Sequence, residues 1–454
     1  MYSIRELADG HPQRLQRVRL ALLICFNIII CCATLVLVAR YDSVLGLDLG
    51  LKQTSTYTFY PPAFHVFFDP DRLLIAVLVV TAFAGVASLF VIARFSFGYL
   101  AGFYFYVMIL GYLWINCFSD LNYNHRLAGL SAVASIIAFL LPALFISSPI
   151  RQKFILPAQA FDRMLTLILL LGVATVAIGA MYDFRIVALA DMYSFRDKLA
   201  APAFVNYLLA IVSSTLLPFA FAAFVARKAY WRAAGVLILL SLFYPIVLSK
   251  IAFFTPIWLV VMLLLSRVFE ARSAVVLSLL GPVLVGLVLI LLFKAQASFA
   301  FYTINFRQMT IPSVAMDVYN DFFSRADLTY FCQISVLKQL MNCPYREQLS
   351  VLLEGVYGLG NFNASLFATE GIASVGPLFA PITAFACGLI IALGNRLSAG
   401  LPHSFILVSG AILPQILLNV PLSTFLLTHG GAIMFLLWYL TPRTIFAEKS
   451  LPAD

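Results

Sequence analysis

The sequence predicts an all-α, polytopic membrane protein in which about 12 transmembrane helices form one domain over residues 1–454. Three observations predict it. Apolar residues make up 63% of the chain and charged residues only 11%, whereas soluble domains average about 45–50% and about 25%. Apolar runs of spanning length recur along the chain, and basic residues gather between them. This composition excludes a water-soluble globular enzyme and a disordered chain.

The apolar runs give the expected spans in order. Each is long enough, or nearly long enough, to cross the hydrocarbon core as a helix. They lie at 20–39, 73–93, 98–118, 127–147, 164–182, 204–226, 233–249, 251–266, 273–293, 376–394, 404–420 and 424–441.

The basic residues predict the orientation. Arg5, Arg14, Arg17 and Arg19 precede the first run, which is longer than a signal-peptide core and lacks a small-residue cleavage site. We therefore expect an uncleaved first helix. Counted from a cytoplasmic start, the short cytoplasmic segments hold most of the basic residues, so both termini should be cytoplasmic. The formal net charge of +9 then reflects topology, and we expect no nucleic-acid partner.

The longest segment between spans is 294–375, which this topology places on the outer face as a large loop between the ninth and tenth spans. It carries many of the charged residues of the chain and the polar and aromatic run Tyr319-Asn320-Asp321-Phe322-Phe323. Structureless loops of this length are uncommon unless they are functional. We expect short helices that cap the outer mouth of the bundle.

Cys332 and Cys343 lie in this outer loop, whereas the other five cysteines lie within or at the ends of spans. A bacterial periplasm is oxidising. The two residues therefore form a disulfide or remain two buried thiols, and a disulfide would add roughly 2–3 kcal/mol on the chain-entropy model.

Motifs of soluble enzymes are missing from the sequence. It has no G-x-x-x-x-G-K-[ST], H-E-x-x-H, G-x-S-x-G or C-x-x-C, so nucleotide hydrolysis, zinc catalysis and a nucleophile elbow lack support. No metal cluster is apparent either, and we expect no cofactor. The sequence also shows no pair of interrupted helices of the kind found in many transporters.

Three cationic groups near the outer face are the candidates for chemistry: Lys250, the group Arg185, Arg196 and Lys198, and Arg325. A charge at membrane depth tends to mark function. The alternatives are a lysine that reaches the interface from a helix end, loop solvation or an Arg196–Asp197 pair for the second group, and a local ion pair for Arg325. If the three groups converge, they form a site for a phosphate or pyrophosphate.

These segments resemble the Wzy-type O-antigen polymerase family of bacterial inner-membrane enzymes. The residues that carry the resemblance cover about the carboxy-terminal three fifths of the chain. They are Phe195-Arg196-Asp197-Lys198 leading to 201–208, Leu248-Ser249-Lys250, Tyr319-Asn320-Asp321-Phe322-Phe323-Ser324-Arg325, 361–371 with Gly376, and 418–424.

The resemblance implies a glycosyltransferase that acts on the periplasmic side of the bacterial inner membrane, with a fold similar to the GT-C class. A growing glycan on undecaprenyl pyrophosphate would be transferred to a hydroxyl of a new lipid-linked repeat unit, and a chain-length regulator is an expected partner. The enzyme would need neither a metal nor a nucleotide sugar.

On this reading Arg196, Lys250 and Arg325 bind the pyrophosphate, because fixed cations stabilise a charge that develops in the transition state. The acceptor hydroxyl needs a base within hydrogen-bond reach. The candidate bases are Asp321, Glu370 and Asp327. The expected substrate-binding residues are Arg185, Arg307, Asp327, Asn363 and Tyr319.

Two other functions stay open. An O-antigen ligase or a serotype-modifying GT-C transferase would use the same donor with another acceptor. A lipid or oligosaccharide transporter belongs to another class, and it would place ionisable groups near the bilayer midplane.

Overall fold

The computed structural model describes residues 4–40, 64–189, 192, 195, 201–334, 337–360 and 365–447, with the backbone alone for 4–13, 295 and 339. This part of the chain is helical and contains no β-strand. The principal helices are α1 Ile4–Ala39, α2 Pro70–Ile92, α3 Phe97–Phe118, α4 His125–Phe145, α5 Ala158–Tyr182, α6 Ala203–Ala226, α7 Tyr230–Val247, α8 Lys250–Val268, α9 Ala271–Phe293, α10 Ile311–Phe323, α11 Leu349–Tyr357, α12 Phe367–Ser398, α13 His403–Ser409, α14 Leu413–Leu417, α15 Leu422–Leu427 and α16 Gly431–Leu440.

Ten of these helices, α1–α9 and α12, are long and apolar enough to cross a membrane. Their positions agree with the first ten predicted spans. The α1 helix begins 16 residues before its predicted span, and the ends of the other nine differ by up to nine residues. The described part of the chain is therefore a polytopic helical bundle, and it supplies ten full-length spans instead of the expected total of about 12.

The last two predicted spans, 404–420 and 424–441, are replaced by the four short helices α13–α16. The α13 helix ends before Gly410, Pro421 precedes α15, and Gly430 adopts a φ of 76° before α16. Glycine adopts positive φ without a steric penalty, and proline disrupts a continuing helix. The apolar content of the segment predicted two spans, but these residues interrupt them.

The α12 helix begins at Phe367, inside the segment that was predicted to be an outer loop, and it breaks at Gly376, where φ is 75° and ψ is 169°. A Cβ on Gly371 would lie 3.2 Å from the Cβ of Ala380. Residues on the two sides of the break therefore lie against each other. The structure thus contains interrupted helices, which the sequence analysis did not detect.

The α10 helix is packed inside the bundle. Twelve of its 13 residues are buried, and the Ser313 hydroxyl donates a hydrogen bond to the Met108 carbonyl in α3 at 3.2 Å. Short helices that cap the outer mouth of the bundle were expected for 294–375. The α10 portion of this segment is buried against α3, and the outer cap itself stays a prediction.

The α3 helix connects the two faces of the bundle. Its 22 residues span about 33 Å at 1.5 Å per residue. It begins after Ser96, whose hydroxyl accepts the Tyr99 N–H, and ends at Ser119. We call these two ends the Ser96 face and the Ser119 face. Arg272, at the start of α9, lies within 3.4 Å of the Ala93 carbonyl at the Ser96 face. Because α8 ends shortly before α9 begins, Lys250 at the other end of α8 lies at the Ser119 face.

Candidate functional site

Asp317 is the most deeply buried carboxylate at the Ser119 face. Its exposure is 0%, and its oxygens accept hydrogen bonds from the Ser119 hydroxyl at 2.8 Å and from the Tyr123 hydroxyl. Burial raises the pKa of Asp317 to about 6, although these two hydrogen bonds and the charges of His125 and His65 act in the opposite direction. A carboxylate with this pKa changes charge near neutral pH.

Asp321 lies one turn further along α10 and is also buried, with 1% exposure. It accepts hydrogen bonds from the Asn122 N–H at 3.0 Å, from the Tyr357 hydroxyl at 2.5 Å and from the Arg325 guanidinium. Burial is the main cause that raises the pKa of Tyr357, and the hydrogen bond to Asp321 and its charge raise this pKa further. The side chain of Asp321 thus joins α10, α11 and the 119–124 loop.

Arg325 faces outward from this cluster. Its side chain is 62% exposed, whereas that of its partner Asp321 is 2% exposed. The local ion pair that the sequence analysis considered as an alternative is therefore present. It fixes one edge of the guanidinium and leaves most of the group in contact with solvent.

Lys250, at the start of α8, and Arg307 form a second group of cations. Lys250 is 9% exposed, and its Nζ lies 5.4 Å from the centroid of the Tyr302 ring. Arg307 is exposed, and its positive charge acts on Lys250. Two neighbouring cations create a positive potential that favours the binding of an anion.

The sequence positions Lys250 through a helix cap. Ser249 precedes α8, and its hydroxyl accepts the Ala252 N–H at 3.2 Å. This cap begins the helix at Lys250 and leaves the lysine as its first residue. Arg307 comes from the segment Tyr302–Thr310, which leads directly into α10.

Glu370 lies in the first part of α12. It is 8% exposed and accepts hydrogen bonds from the Leu422 N–H at 2.9 Å and the Thr369 hydroxyl at 2.8 Å. Its charge acts on Tyr319, so the structure brings these two predicted site residues close together. The carboxylate also joins the interrupted helix α12 to the start of α15.

A mostly apolar cavity of about 310 Å³ lies beside the start of α8. It is bounded by the end of α5, by α6 and by the junction of α7 and α8, and His429 contributes to its wall. The Nδ1 atom of His429 is buried and has no hydrogen-bond partner among the described residues. Thr215 holds the segment in place by donating a hydrogen bond to the His429 carbonyl at 2.7 Å.

Other predicted site residues lie elsewhere or outside the described residues. Arg185 forms an ion pair with Asp183 at 2.7 Å, a pairing that the sequence analysis did not predict. Asp327 is exposed, and its carbonyl accepts the Tyr345 hydroxyl at 2.7 Å. Arg196 and Asn363 fall outside the described residues.

A disulfide joins Cys332 and Cys343, the first of the two states that the sequence analysis considered. Next to it, the Gln333 side-chain amide donates a hydrogen bond to the Tyr345 carbonyl at 3.2 Å. The disulfide and this bond connect the chain after α10 to the segment that precedes α11.

Sequence reasoning missed Asp317, Tyr123 and Tyr357 as members of the site. One signal was available, because Asp317, Asp321 and Arg325 are spaced by four residues and therefore share one side of a helix. No comparable signal marks the two tyrosines, which reach the carboxylates from other parts of the chain.

The ten apolar helices make this chain a multi-pass membrane protein. No family model matches its sequence, and neither a curated protein nor a solved structure matches the chain. In the part of the chain that the structure describes, no group of three or more His, Cys, Asp or Glu side chains is arranged to hold a metal ion.

Proposed function

We propose that the protein is a polysaccharide polymerase similar to the Wzy type, which transfers a glycan from undecaprenyl pyrophosphate to a hydroxyl of a second lipid-linked repeat unit. The observation that carries the proposal is the proximity of two cations: Lys250 Nζ lies 5.4 Å from the centroid of the Tyr302 ring, and Arg307 follows five residues later in the same segment. Two cations from separate segments provide electrostatic stabilisation where a pyrophosphate leaving group gains charge.

The proposed reaction is a single displacement at the anomeric carbon of the donor. The acceptor oxygen forms a bond to this carbon, while the bond between the carbon and the pyrophosphate oxygen breaks. The electron pair of the broken bond leaves with undecaprenyl pyrophosphate, and a base takes the proton of the acceptor hydroxyl. Lys250 and Arg307 would contact the pyrophosphate, since ammonium and guanidinium groups both donate to phosphate oxygens.

The carboxylates divide between two roles in this proposal. Asp321 is buried and already accepts three hydrogen bonds, so it acts as a positioning residue for Arg325, which would contact the sugar or the pyrophosphate. Asp327 is exposed two residues beyond Arg325 and is a better placed base for an acceptor hydroxyl than Asp321 or Glu370.

The protein would lie in the bacterial inner membrane with both termini in the cytoplasm and the Ser119 face in the periplasm. Its substrates would be lipid-linked oligosaccharides, a chain-length regulator would be a partner, and its fold would be of the GT-C class. The enzyme would require no cofactor.

The test is the length distribution of lipopolysaccharide on a gel, from a strain that lacks this gene and is complemented with variants. We expect the deletion to leave a single repeat unit on the lipid core. Wild type should restore the ladder, whereas Lys250→Ala and Arg307→Gln should each shorten or abolish it. Arg126→Gln is the matched control, because Arg126 is exposed, as Arg307 is, and follows Tyr123 by three residues at the start of α4.

The gel separates the alternatives. An unchanged ladder in the deletion strain would contradict the proposal. If no repeat unit reaches the core, a ligase or an earlier step is favoured instead. A ladder restored by both cation variants at wild-type protein levels would remove the pyrophosphate role from Lys250 and Arg307.

One observation favours transport as a second candidate function. The α12 helix is interrupted at Gly376, and the buried Glu370 lies in the short part of the helix that precedes this break. Transporters place ionisable groups at interrupted helices to bind substrates or coupling ions. In proteoliposomes, a transporter would move a lipid-linked oligosaccharide across the bilayer and would lose this activity in Glu370→Gln, whereas a polymerase would form linked products without translocation.

A further inference from the structure

A second cavity opens at the Ser96 face, at the end of α3 opposite Asp317. Its volume is about 690 Å³. Its walls come from α1 around Arg17, the α2–α3 connection, the chain after α4, the start of α9 and the α12–α13 connection. The charged side chains in its wall are those of Arg17, Arg94, Arg272 and Glu270.

Arg272 is partly buried, whereas the other two arginines of the cavity wall, Arg17 and Arg94, are exposed. The Arg272 side chain is 14% exposed, and its Nε lies 2.6 Å from a carboxylate oxygen of Glu270. One terminal nitrogen also lies 3.4 Å from each of the carbonyls of Val91 and Ala93. The guanidinium is therefore held in one place by the α2–α3 connection and by the start of α9.

The cavity has a positive electrostatic potential. Three guanidinium groups and one carboxylate give its wall an excess of positive charge. The long helices α3 and α9 also begin at its wall, and the amino-terminal end of a helix carries a partial positive charge. Beneath the wall, the buried Tyr99 hydroxyl has no hydrogen-bond partner among the described residues and is influenced by the charges of Arg272 and Glu270.

Topology alone does not account for this arrangement. The positive-inside rule places basic residues on one face of a membrane protein, but it does not gather them from α1, the α2–α3 connection and α9 around a single concave volume. Volumes of about 300–1,000 Å³ are typical of small-molecule sites, and basic pockets between transmembrane helices bind anionic lipid headgroups.

We propose that the cavity binds a phosphate-bearing anion through Arg17, Arg94 and Arg272. The phosphate belongs either to the headgroup of an anionic phospholipid or to a small soluble phosphate compound, since both present the same chemistry to the arginines. This proposal is independent of the proposed glycosyl transfer, because the cavity lies at the other face of the bundle.

The test uses the full-length protein, purified in an uncharged detergent, and follows its thermal unfolding midpoint. Phosphatidylglycerol, phosphatidylcholine, inorganic phosphate and pyrophosphate are titrated separately, because a ligand that binds only the folded state raises the midpoint. The variants are Arg17→Gln and Arg94→Gln. The matched control is Arg163→Gln, because Arg163 is exposed near the start of α5 and does not line the cavity.

We expect phosphatidylglycerol to raise the midpoint more than phosphatidylcholine does. Arg17→Gln and Arg94→Gln should each weaken the apparent affinity about fivefold, the effect of about one basic residue near an anionic headgroup. The Arg163→Gln control should bind as wild type does. If the soluble phosphates stabilise the protein with the same dependence on Arg17 and Arg94, the anion site is confirmed and its ligand is a soluble phosphate compound.

Three results would overturn the proposal: equal effects of phosphatidylglycerol and phosphatidylcholine together with no effect of the phosphates, an equal loss of affinity in Arg163→Gln, or unchanged affinity in both cavity variants. The second result would indicate a general attraction of anions to the basic face. Lipopolysaccharide length in the same variants reports separately on the proposed polymerase, so the two proposals fail independently.

Discussion

At the scale of single residues, the neighbouring carboxylates Asp317 and Asp321 differ in their surroundings. Both are buried, but among the described residues only Asp321 forms an ion pair, with Arg325. Asp317 accepts hydrogen bonds from neutral hydroxyl groups, which stabilise a charge less than a guanidinium does. The hydroxyl groups offset only part of the desolvation cost of ionising Asp317, and burial raises its pKa.

This difference predicts a pH-dependent stability that originates at Asp317. Its pKa is about 6 in the folded protein, whereas the ordinary value for an aspartate, which applies to the unfolded chain, is 3.8. Between these values the folded state binds the proton that the unfolded state has released, so stability rises as the pH falls through 6. The full effect is about 3 kcal/mol. Relative to Asp317→Asn, the thermal unfolding midpoint of wild type should rise when the pH is lowered from 7 to 5.

The comparison with Asp317→Asn removes the contributions of other titrating groups. Parallel pH profiles for wild type and this variant would contradict the prediction. Asp321→Asn should behave differently, because its loss leaves Arg325 and Tyr357 without their buried partner, and it should lower the midpoint at both pH values.

At the scale of elements, the start of α3 is packed too closely for any side chain larger than glycine at residue 98. A Cβ there would lie 2.0 Å from the Ala143 carbonyl oxygen of α4, and the Gly98 N–H donates to the Asn395 side chain in α12 at 2.6 Å. This position therefore joins three spans through backbone contact.

Gly98→Ala should consequently destabilise the protein by several kcal/mol, because backbone atoms have to move apart. Gly85→Ala is the matched control. A Cβ at residue 85 would have no atom within 4 Å, and alanine has the higher helix propensity. The measurement is the thermal unfolding midpoint in detergent, and a Gly98→Ala midpoint equal to that of the control would contradict this packing.

The Cys332–Cys343 disulfide should stabilise the connection between α10 and α11. Closing this short loop removes roughly 2–3 kcal/mol of chain entropy from the unfolded segment. We expect Cys332→Ser to make 325–350 more sensitive to limited proteolysis, with little change in the ten spans. Cys117→Ser serves as the control because Cys117 is a free thiol. Equal proteolysis of wild type with and without reductant would contradict the expectation.

At the scale of the whole molecule, the Ser96 and Ser119 faces should lie on opposite sides of the membrane. Val356 in α11 is 57% exposed near the Ser119 face, and Phe154 between α4 and α5 is 73% exposed near the Ser96 face. In spheroplasts, an impermeant maleimide should label Val356→Cys at once and Phe154→Cys only after permeabilisation.

The unmodified chain provides the background for this labelling, since its free cysteines lie in or near spans. The reverse pattern would place the termini outside and the Ser119 face in the cytoplasm. That outcome would remove the proposed polymerase, whose substrates require the periplasmic side, and would leave the helical bundle intact.

The sequence by itself was enough to predict a polytopic membrane protein and its first ten spans. It also identified Lys250, Arg307, Asp321 and Arg325 as candidate site residues. These properties are local. An apolar run must be removed from water whatever it packs against, and a charge between such runs is visible without knowledge of the fold.

Only the tertiary structure decided that 404–441 is broken into four helices, that α10 is buried, and that Ser119 and Tyr123 meet Asp317. Hydropathy has the same average whether a helix is continuous or interrupted, and Ser119 and Asp317 are 198 residues apart in the chain. Their contact depends on how α3 and α10 pack, which is a property of the assembled bundle and leaves no periodic signal in either segment.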